Sequence, residues 1–337
     1  MIKIDKANML YKQAVSRNDR CITVFTPTYN RCSLLLRVYE CLRKQSNTNF
    51  VWLVVSDGST DDTDLKMAQL IEETDIPIRY VSKENGGKHT ALKLGMELTE
   101  TDYFCDCDDD DTYTVDMVDF FLTQWEQIES DDKADIGVVR ALTQYEDGRM
   151  VCKYRFNNKD MGKWFDTTNL EMVYIKHQIK EDHTCFRMEA LRSVELWPKD
   201  YWLSCYHTFL SEGVWHGRFA RKYKSRYVFK VTRIYNDTSI GIIRDKLNTQ
   251  RAINAFINNH LLLNEQWDYF QFYKLLMMKD ILVMGVYRSA LGISVFKQLK
   301  YIEHLGLKIW ILLAVPICYI IRQIKYKGIS FKGIPLK

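Results

Sequence analysis

Between Cys21 and Val139 the chain alternates short runs of apolar, β-branched residues with stretches whose apolar positions recur every three or four residues. Cys21-Ile22-Thr23-Val24-Phe25 stops at Pro27 and predicts a buried strand, after which Leu35, Val38 and Leu42 fall on one helical face, with Asn30 or Ser33 placed to cap it. Val51-Trp52-Leu53-Val54-Val55 predicts a second strand and closes a βαβ unit. A helix bearing Leu65, Ala68 and Ile71 leads to a third strand, Ile78-Arg79-Tyr80-Val81, and a helix from Lys88 leads to a fourth beginning at Tyr103. Val115, Val118, Leu122 and Trp125 mark another helix, and Ile136-Gly137-Val138-Val139 another strand. Before Cys21 the chain reads as a polar leader, and from Tyr154 to Asp200 the pattern weakens to mixed loops and short elements. This order predicts an α/β nucleotide-binding sheet, whose ligands sit at the carboxyl ends of the strands.

Beyond Ile240 the periodicity is helical only, with Ala252, Phe256 and Leu261 followed by the run from Tyr269 to Val286. Val295, Leu299, Ile302 and Leu305 predict one face of an amphipathic helix whose other face carries Lys297, Lys300 and His304. The apolar run Ile309 to Ile321 follows; as a helix it reaches about 20 Å, short of the roughly 30 Å hydrocarbon core, and Pro316 predicts a kink or break. With the basic residues from Arg322 to Lys337, the segment predicts an interfacial anchor on anionic lipid, the alternative being an apolar helix packed on the α/β domain. These shifts divide the chain into residues 1–240, 241–300 and 301–337.

Composition adds bounds. With 337 residues and 47% hydrophobic content, the chain can bury one large core with an appendage. A net charge of +4 is too small to argue for nucleic acid. Nine cysteines, an odd number without a CxxC pair, and no apolar signal peptide after Met1-Ile2-Lys3 predict a reducing cytoplasmic compartment and argue against zinc.

The candidate chemistry centres on Tyr103-Phe104-Cys105-Asp106-Cys107-Asp108-Asp109-Asp110-Asp111, where an apolar strand ends in carboxylates. Desolvating unpaired carboxylates costs on the order of several kcal/mol each, so a cation is expected there. Alternate acids on an extended backbone, such as Asp108 and Asp110, suit a hard divalent ion, whereas a solvated acidic loop needs none. An EF-hand loop fails, because counting from Asp106 puts Asp111 at the glycine position and Met117 at the bidentate glutamate position. The turns Ser56-Asp57-Gly58-Ser59-Thr60-Asp61-Asp62 and Glu84-Asn85-Gly86-Gly87-Lys88-His89 end two further strands. Lys88 and His89 could meet a diphosphate, although a Gly-Gly turn needs no ligand. Glu212 lies among apolar and aromatic residues, as a general base would, or as a surface glutamate opening a helix would.

From Cys21 to Ser239 these motifs, taken together and in order, resemble a family 2 glycosyltransferase of the bacterial surface-polysaccharide kind. Thr23 to Arg31 is similar to the family's opening strand and PTYNR turn, Ser56 to Asp61 to its DDGSTD turn, and Glu84 to His89 to its third signature. The family's DxDD motif fits Asp106 to Asp109 or Asp108 to Asp111; the second register aligns Thr112 to Asp116 with the usual continuation. Ser56 and Lys93 depart from the family's Asp and Asn. The resemblance implies an α/β GT-A fold, a Rossmann-like mixed sheet flanked by helices, with a C-terminal helical extension. It further implies nucleotide contacts from Pro27, Thr28, Tyr29, Asn30, Arg31, Asp57, Gly87, Lys88, Asp108 and Asp109. Asp108, Asp110 and Asp111 would hold manganese or magnesium, Glu212 would be the catalytic base, and Asp182 a second acid near the acceptor. The implied reaction is inverting transfer from a nucleotide sugar, a UDP-sugar first, to a saccharide or lipid-linked saccharide at the cytoplasmic face of the cell membrane. Two alternatives stand beside it: a nucleotidyltransferase, which would carry a Gly-rich phosphate loop where this chain has Thr28-Tyr29-Asn30-Arg31, and a non-catalytic nucleotide-sugar or glycan-binding subunit.

Overall fold

The computed structural model describes residues 1–17, 20–151, 160–177, 182–197, 210–236 and 249–325. Lys180, Glu181, Phe209, the predicted boundary at 240 and the tail beyond Lys325 lie outside the described residues. The chain divides into two compact units, the first comprising Met1–Met172, Gln178–Glu195 and Phe219–Ser239, the second Val173–His177, Leu196–Arg218 and Ile240–Lys337.

The first unit is built on a ten-stranded mixed sheet. Its strands are β1 (Ile2–Ala7), β2 (Ile22–Thr28), β3 (Phe50–Ser56), β4 (Ile78–Lys83), β5 (Tyr103–Asp106), β6 (Thr112–Tyr113), β7 (Ile136–Tyr145), β8 (Trp164–Thr167), β9 (His183–Arg187) and β10 (Lys224–Tyr235). They lie in the order β1-β4-β3-β2-β5-β9-β7-β10-β6, with β8 paired to β10. β2 is parallel to both β3 and β5, so the ends that carry Thr28, Ser56 and Asp106 share one edge of the sheet. Pro27 is tolerated in β2 because β5 pairs only as far as Phe25.

Helices α1 (Met9–Ser16), α2 (Cys32–Leu42), α3 (Thr63–Glu73), α4 (Lys88–Leu98) and α5 (Met117–Ser130) cover the sheet, and short α6 (Met188–Arg192) follows β9. Leu35, Val38, Met67, Val118, Phe121 and Trp125 bring α2, α3 and α5 onto the core formed by Val24, Trp52, Val54 and Cys105. On the other face, Tyr11 of α1 packs near Val51, and a side chain at Gly95 of α4 would collide with the Phe25 ring. Trp52 is fully buried with its indole N–H donating to Thr26 Oγ1 at 3.0 Å, and its truncation to Ala is expected to cost about 3–5 kcal/mol.

Several sequence expectations need correcting here. The polar leader is β1 and α1, β1 pairing antiparallel with β4. Leu65 is exposed and α3 buries Met67 instead; Val115 is exposed because α5 begins two residues later. The short elements expected between Tyr154 and Asp200 include β8 and β9, whereas β10 went unread altogether. Its sequence carries Arg226 and Arg233, which are buried against acids and so break the expected apolar pattern.

The second unit contains α8 (Thr249–Gln266), α9 (Lys274–Ala290), α10 (Val295–Leu299) and α11 (Leu305–Lys325), with α7 (Glu212–Ala220) beginning in it. The amphipathic helix expected over Val295 to Leu305 is only α10, since the Glu303 N–H turns aside to Asn264 Oδ1 at 2.9 Å. The apolar run is longer than expected: α11 has 21 residues, about 31 Å at 1.5 Å per residue, and contains Pro316 without ending there. The carbonyl deprived of a helical donor by Pro316 belongs to Leu312, on the exposed side. By length and composition α11 is therefore able to cross a membrane. One face, Leu307, Ile311, Ala314 and Cys318, is buried, with Cys318 packed so closely on Gly285 of α9 that a side chain there could not fit. The opposite face exposes Leu305, Ile309, Leu313, Ile317, Ile320 and Ile324.

Candidate active site

The acid turn between β5 and β6 lies beyond the carboxyl end of β2. Carboxylate oxygens of Asp108, Asp110 and Asp111 lie within 4.8 Å of one another, an all-oxygen set that fits a hard divalent ion. Asp109 turns the other way, accepting Thr28 Oγ1 at 2.7 Å and the Arg31 guanidinium at 2.8 Å. Protein cations already meet the acids: Lys88 Nζ lies 2.6 Å from Asp108, Arg31 2.9 Å from Asp110, and Arg233 bonds both Asp108, at 2.9 Å, and Asp111. Four carboxylates thus face three cations, leaving one net negative charge, which favours binding of a cation. Burial raises the carboxyl groups of Asp109 and Asp111 to about 6. Burial acts the same way on Asp108, but Lys88 and Arg233 together hold it well below the usual carboxylate range.

The neighbouring turns are tied to each other. Asn30, held at φ 54°, accepts the Thr60 N–H at 2.7 Å and donates its own N–H to Ser59 Oγ at 3.0 Å. Gly58 has φ 78°, and a Cβ there would lie 2.7 Å from the Asn85 nitrogen, so only glycine lets the two turns approach. The Asp57 carboxylate is occupied within the protein, by the N–H groups of Gly86 and Gly87 at 3.0 and 2.7 Å and by Lys83. Gly87 then opens α4, which carries Lys88 to Asp108. Tyr29 stands exposed at the rim.

The model of the family described as Glycosyl transferase family 2 matches residues 23–194, just over half of the chain. The chain belongs to glycosyl transferase family 2. Among its relatives, an uncharacterized glycosyltransferase of Rickettsia conorii is 33% identical over 123 residues, 36% of this chain and 20% of the relative. The teichoic acid poly(glycerol phosphate) polymerase of Staphylococcus epidermidis is 30% identical over 105 residues, 31% of this chain and 15% of that protein. The match thus spans a fifth or less of these relatives' own length. The crystal structure of S. aureus TarS 1–349 in complex with UDP-GlcNAc has a TM-score of 0.51 at 14% identity, covering 88% of this chain and 80% of that one. That likeness establishes the fold of this family 2 member as GT-A.

The two expected catalytic acids of the family 2 chain fall in different surroundings. The Asp182 side chain is buried just before β9, with Arg140 of β7 3.7 Å away. Glu212 is partly buried at the first residue of α7, in the second unit, where the helix N-terminus favours a negative charge. Sequence reading missed Arg233 and Asn236; the latter donates its N–H to Asp111 at 3.0 Å and its side-chain amide to the Asp110 carbonyl at 2.9 Å. A paired acid run invites a search for distant basic residues, and Arg233-Ile234-Tyr235-Asn236 was the available signal. It also missed a group of Cys105, Cys107 and His183, because CxC and HxC spacings are not those of the CxxC pair whose absence argued against zinc.

Proposed function

We propose that this protein moves a sugar from a nucleotide sugar, with uridine diphosphate as carrier, to a hydroxyl of a glycan or lipid-linked saccharide with inversion at the anomeric carbon. The observation that carries this reading is the convergence of Asp108, Asp110 and Asp111 at the strand edge occupied by the Thr28 to Arg31 turn. Manganese or magnesium held by these three acids would offset the charge that grows on the leaving diphosphate. Lys88, at the start of α4, adds a cation and a helix N-terminus suited to phosphate. Pro27, Thr28, Tyr29, Asn30, Arg31, Asp57, Gly87, Asp108 and Asp109 are assigned to the nucleotide. The uridine choice follows TarS, whose structure holds UDP-GlcNAc. An acceptor hydroxyl is too weakly acidic to attack at neutral pH, so Glu212 takes its proton as general base, with Asp182 on the acceptor side.

The exposed face of α11, whose last turn carries Arg322 and Lys325 and which Lys327, Lys332 and Lys337 follow in the sequence, suits an anionic membrane surface at the cytoplasmic face. A panel of nucleotide sugars with manganese, read first as thermal stabilisation and then as release of nucleoside diphosphate, tests the reaction. Stabilisation and turnover by a UDP-sugar are expected. Stabilisation by nucleoside triphosphates alone would shift the reading to a nucleotidyltransferase, and binding of a nucleotide sugar without turnover in the presence of acceptors would shift it to a binding subunit.

A further inference from the structure

Directly behind the acid turn, two adjacent strands present soft metal donors on one face. Cys105 of β5 lies opposite Cys185 of β9 in the antiparallel register. The Cys107 N–H donates to the Phe25 carbonyl at 2.8 Å, so the chain is still extended there, and residues two apart on a strand share a face. Cys107 consequently stands beside His183. All four side chains are fully buried.

For Cys105, Cys107 and His183 the separations are those of a coordination shell. His183 Nε2 lies 3.3 Å from Cys105 Sγ and 3.4 Å from Cys107 Sγ, and the two sulfurs are 3.9 Å apart. Tetrahedral zinc, with Zn–S about 2.3 Å and Zn–N about 2.0–2.1 Å, needs S···S of about 3.8 Å and S···N of about 3.5 Å. Two thiols also converge on one imidazole nitrogen, whose single lone pair accepts only one thiol proton; an ion between the three atoms uses all of them. His183 Nδ1 is 2.8 Å from Thr232 Oγ1, and donation of Nδ1–H to that oxygen leaves the Nε2 lone pair facing the sulfurs, as in zinc-bound histidines. The Cys185 sulfur, across the register from Cys105, receives the Trp125 indole N–H at 3.4 Å and stands outside the group formed by the other three donors.

We propose that Cys105, Cys107 and His183 bind a structural zinc ion, with the Cys185 thiol turning in from β9 as the fourth ligand, and that the ion pins β5 to β9 beneath the Asp108 to Asp111 turn. Binding converts three thiols to thiolates and releases their protons to solvent, with no change of oxidation state. The donors are sulfur and nitrogen, so the site is chemically separate from the oxygen cluster at Asp108, Asp110 and Asp111.

Full-length protein produced with zinc, then dialysed against EDTA, is expected to keep one zinc per chain, as is Asp110→Ala. Protein produced with cobalt(II) in place of zinc is expected to show sulfur-to-cobalt charge-transfer absorption and the visible bands of tetrahedral cobalt. Cys107→Ser should lose both the zinc and the spectrum, and Cys107→Val, an apolar replacement suited to this core, should lose them while folding. The cobalt spectrum is read on the wild-type chain, so the test survives if either variant fails to fold. Only trace zinc in folded wild-type protein with no charge-transfer band would overturn the proposal. So would undiminished zinc in either cysteine variant, or a Cys105–Cys107 disulfide in the metal-free protein.

Discussion

Arg233 donates to Asp108 Oδ2 at 2.9 Å from a strand 125 positions further along the chain, and its Nε bonds Asp111. The guanidinium and the Asp111 side chain are almost fully buried, so removing one partner strands a carboxylate. Arg233→Met is expected to lose about 3–5 kcal/mol, as for a broken buried ion pair. If Asp108 and Asp111 are metal ligands, manganese should then raise Tm more in the variant than in the wild type, because it replaces the missing charge. Equal shifts, measured by thermal unfolding with and without manganese, would remove these two acids from the metal site.

Asp110 is the acid whose loss disturbs the fold least. Among the described residues its cation partner is Arg31, which also holds Asp109. Asp110→Ala is therefore expected to fold normally and to lose transfer, while Asp108→Ala and Asp111→Ala also lose stability. Full turnover by Asp110→Ala in excess chelator would sink the metal assignment and the choice of the later Asp register together.

Glu212→Gln keeps the shape and removes the base. We expect unchanged stabilisation by nucleotide sugar and a kcat lower by about a hundredfold or more. Steady-state kinetics beside thermal unfolding separates this from a structural role. Normal kcat with a lower Tm would make Glu212 a helix-start residue and pass the role of base to Asp182.

The Gly58 turn gives a test of the scaffold alone. A Cβ at this residue meets the Asn85 backbone, and φ 78° is unfavourable for an L side chain. Gly58→Ala should cost about 1–3 kcal/mol and loosen the turn that seats Asn30 and Asp57. Unfolding by urea measures the loss, and an unchanged midpoint would show that the two turns separate without penalty.

The parallel half of the sheet was legible because its strands are continuous apolar runs ending in polar turns, as β2 and β3 are. The antiparallel half was not. In β10 two buried arginines occupy core positions, and their acid partners, Asp166 for Arg226 and Asp111 for Arg233, lie 60 and 122 residues away. Local pattern cannot reveal such pairs. The acid turn was found for the same reason that its cations were missed: unpaired carboxylates are visible in sequence, but what pairs them is decided by sheet topology. The helix at the C-terminus misled in the opposite direction, since an apolar run counted between its polar flanks omitted the turns that Leu305 to Lys308 and Arg322 to Lys325 add to α11.

The last prediction concerns that helix. Its buried face holds Leu307, Ile311 and Cys318 against the rest of its unit, so truncation before α11 would strip a packed surface and confuse unfolding with detachment. Leu313, Ile317 and Ile320 are instead exposed by 61%, 51% and 56%. Replacing all three with Gln should leave Tm unchanged, because no packing is removed. Each large apolar side chain buried in lipid is worth about 1.5–3 kcal/mol, so the triple variant should bind vesicles of phosphatidylethanolamine and phosphatidylglycerol at least about tenfold more weakly than the full-length wild type. Cosedimentation measures this directly, and a carbonate wash distinguishes a helix lying on the membrane, which is stripped, from one crossing it, which is retained. Equal partitioning of wild type and triple variant into the supernatant would take the membrane out of the account of α11.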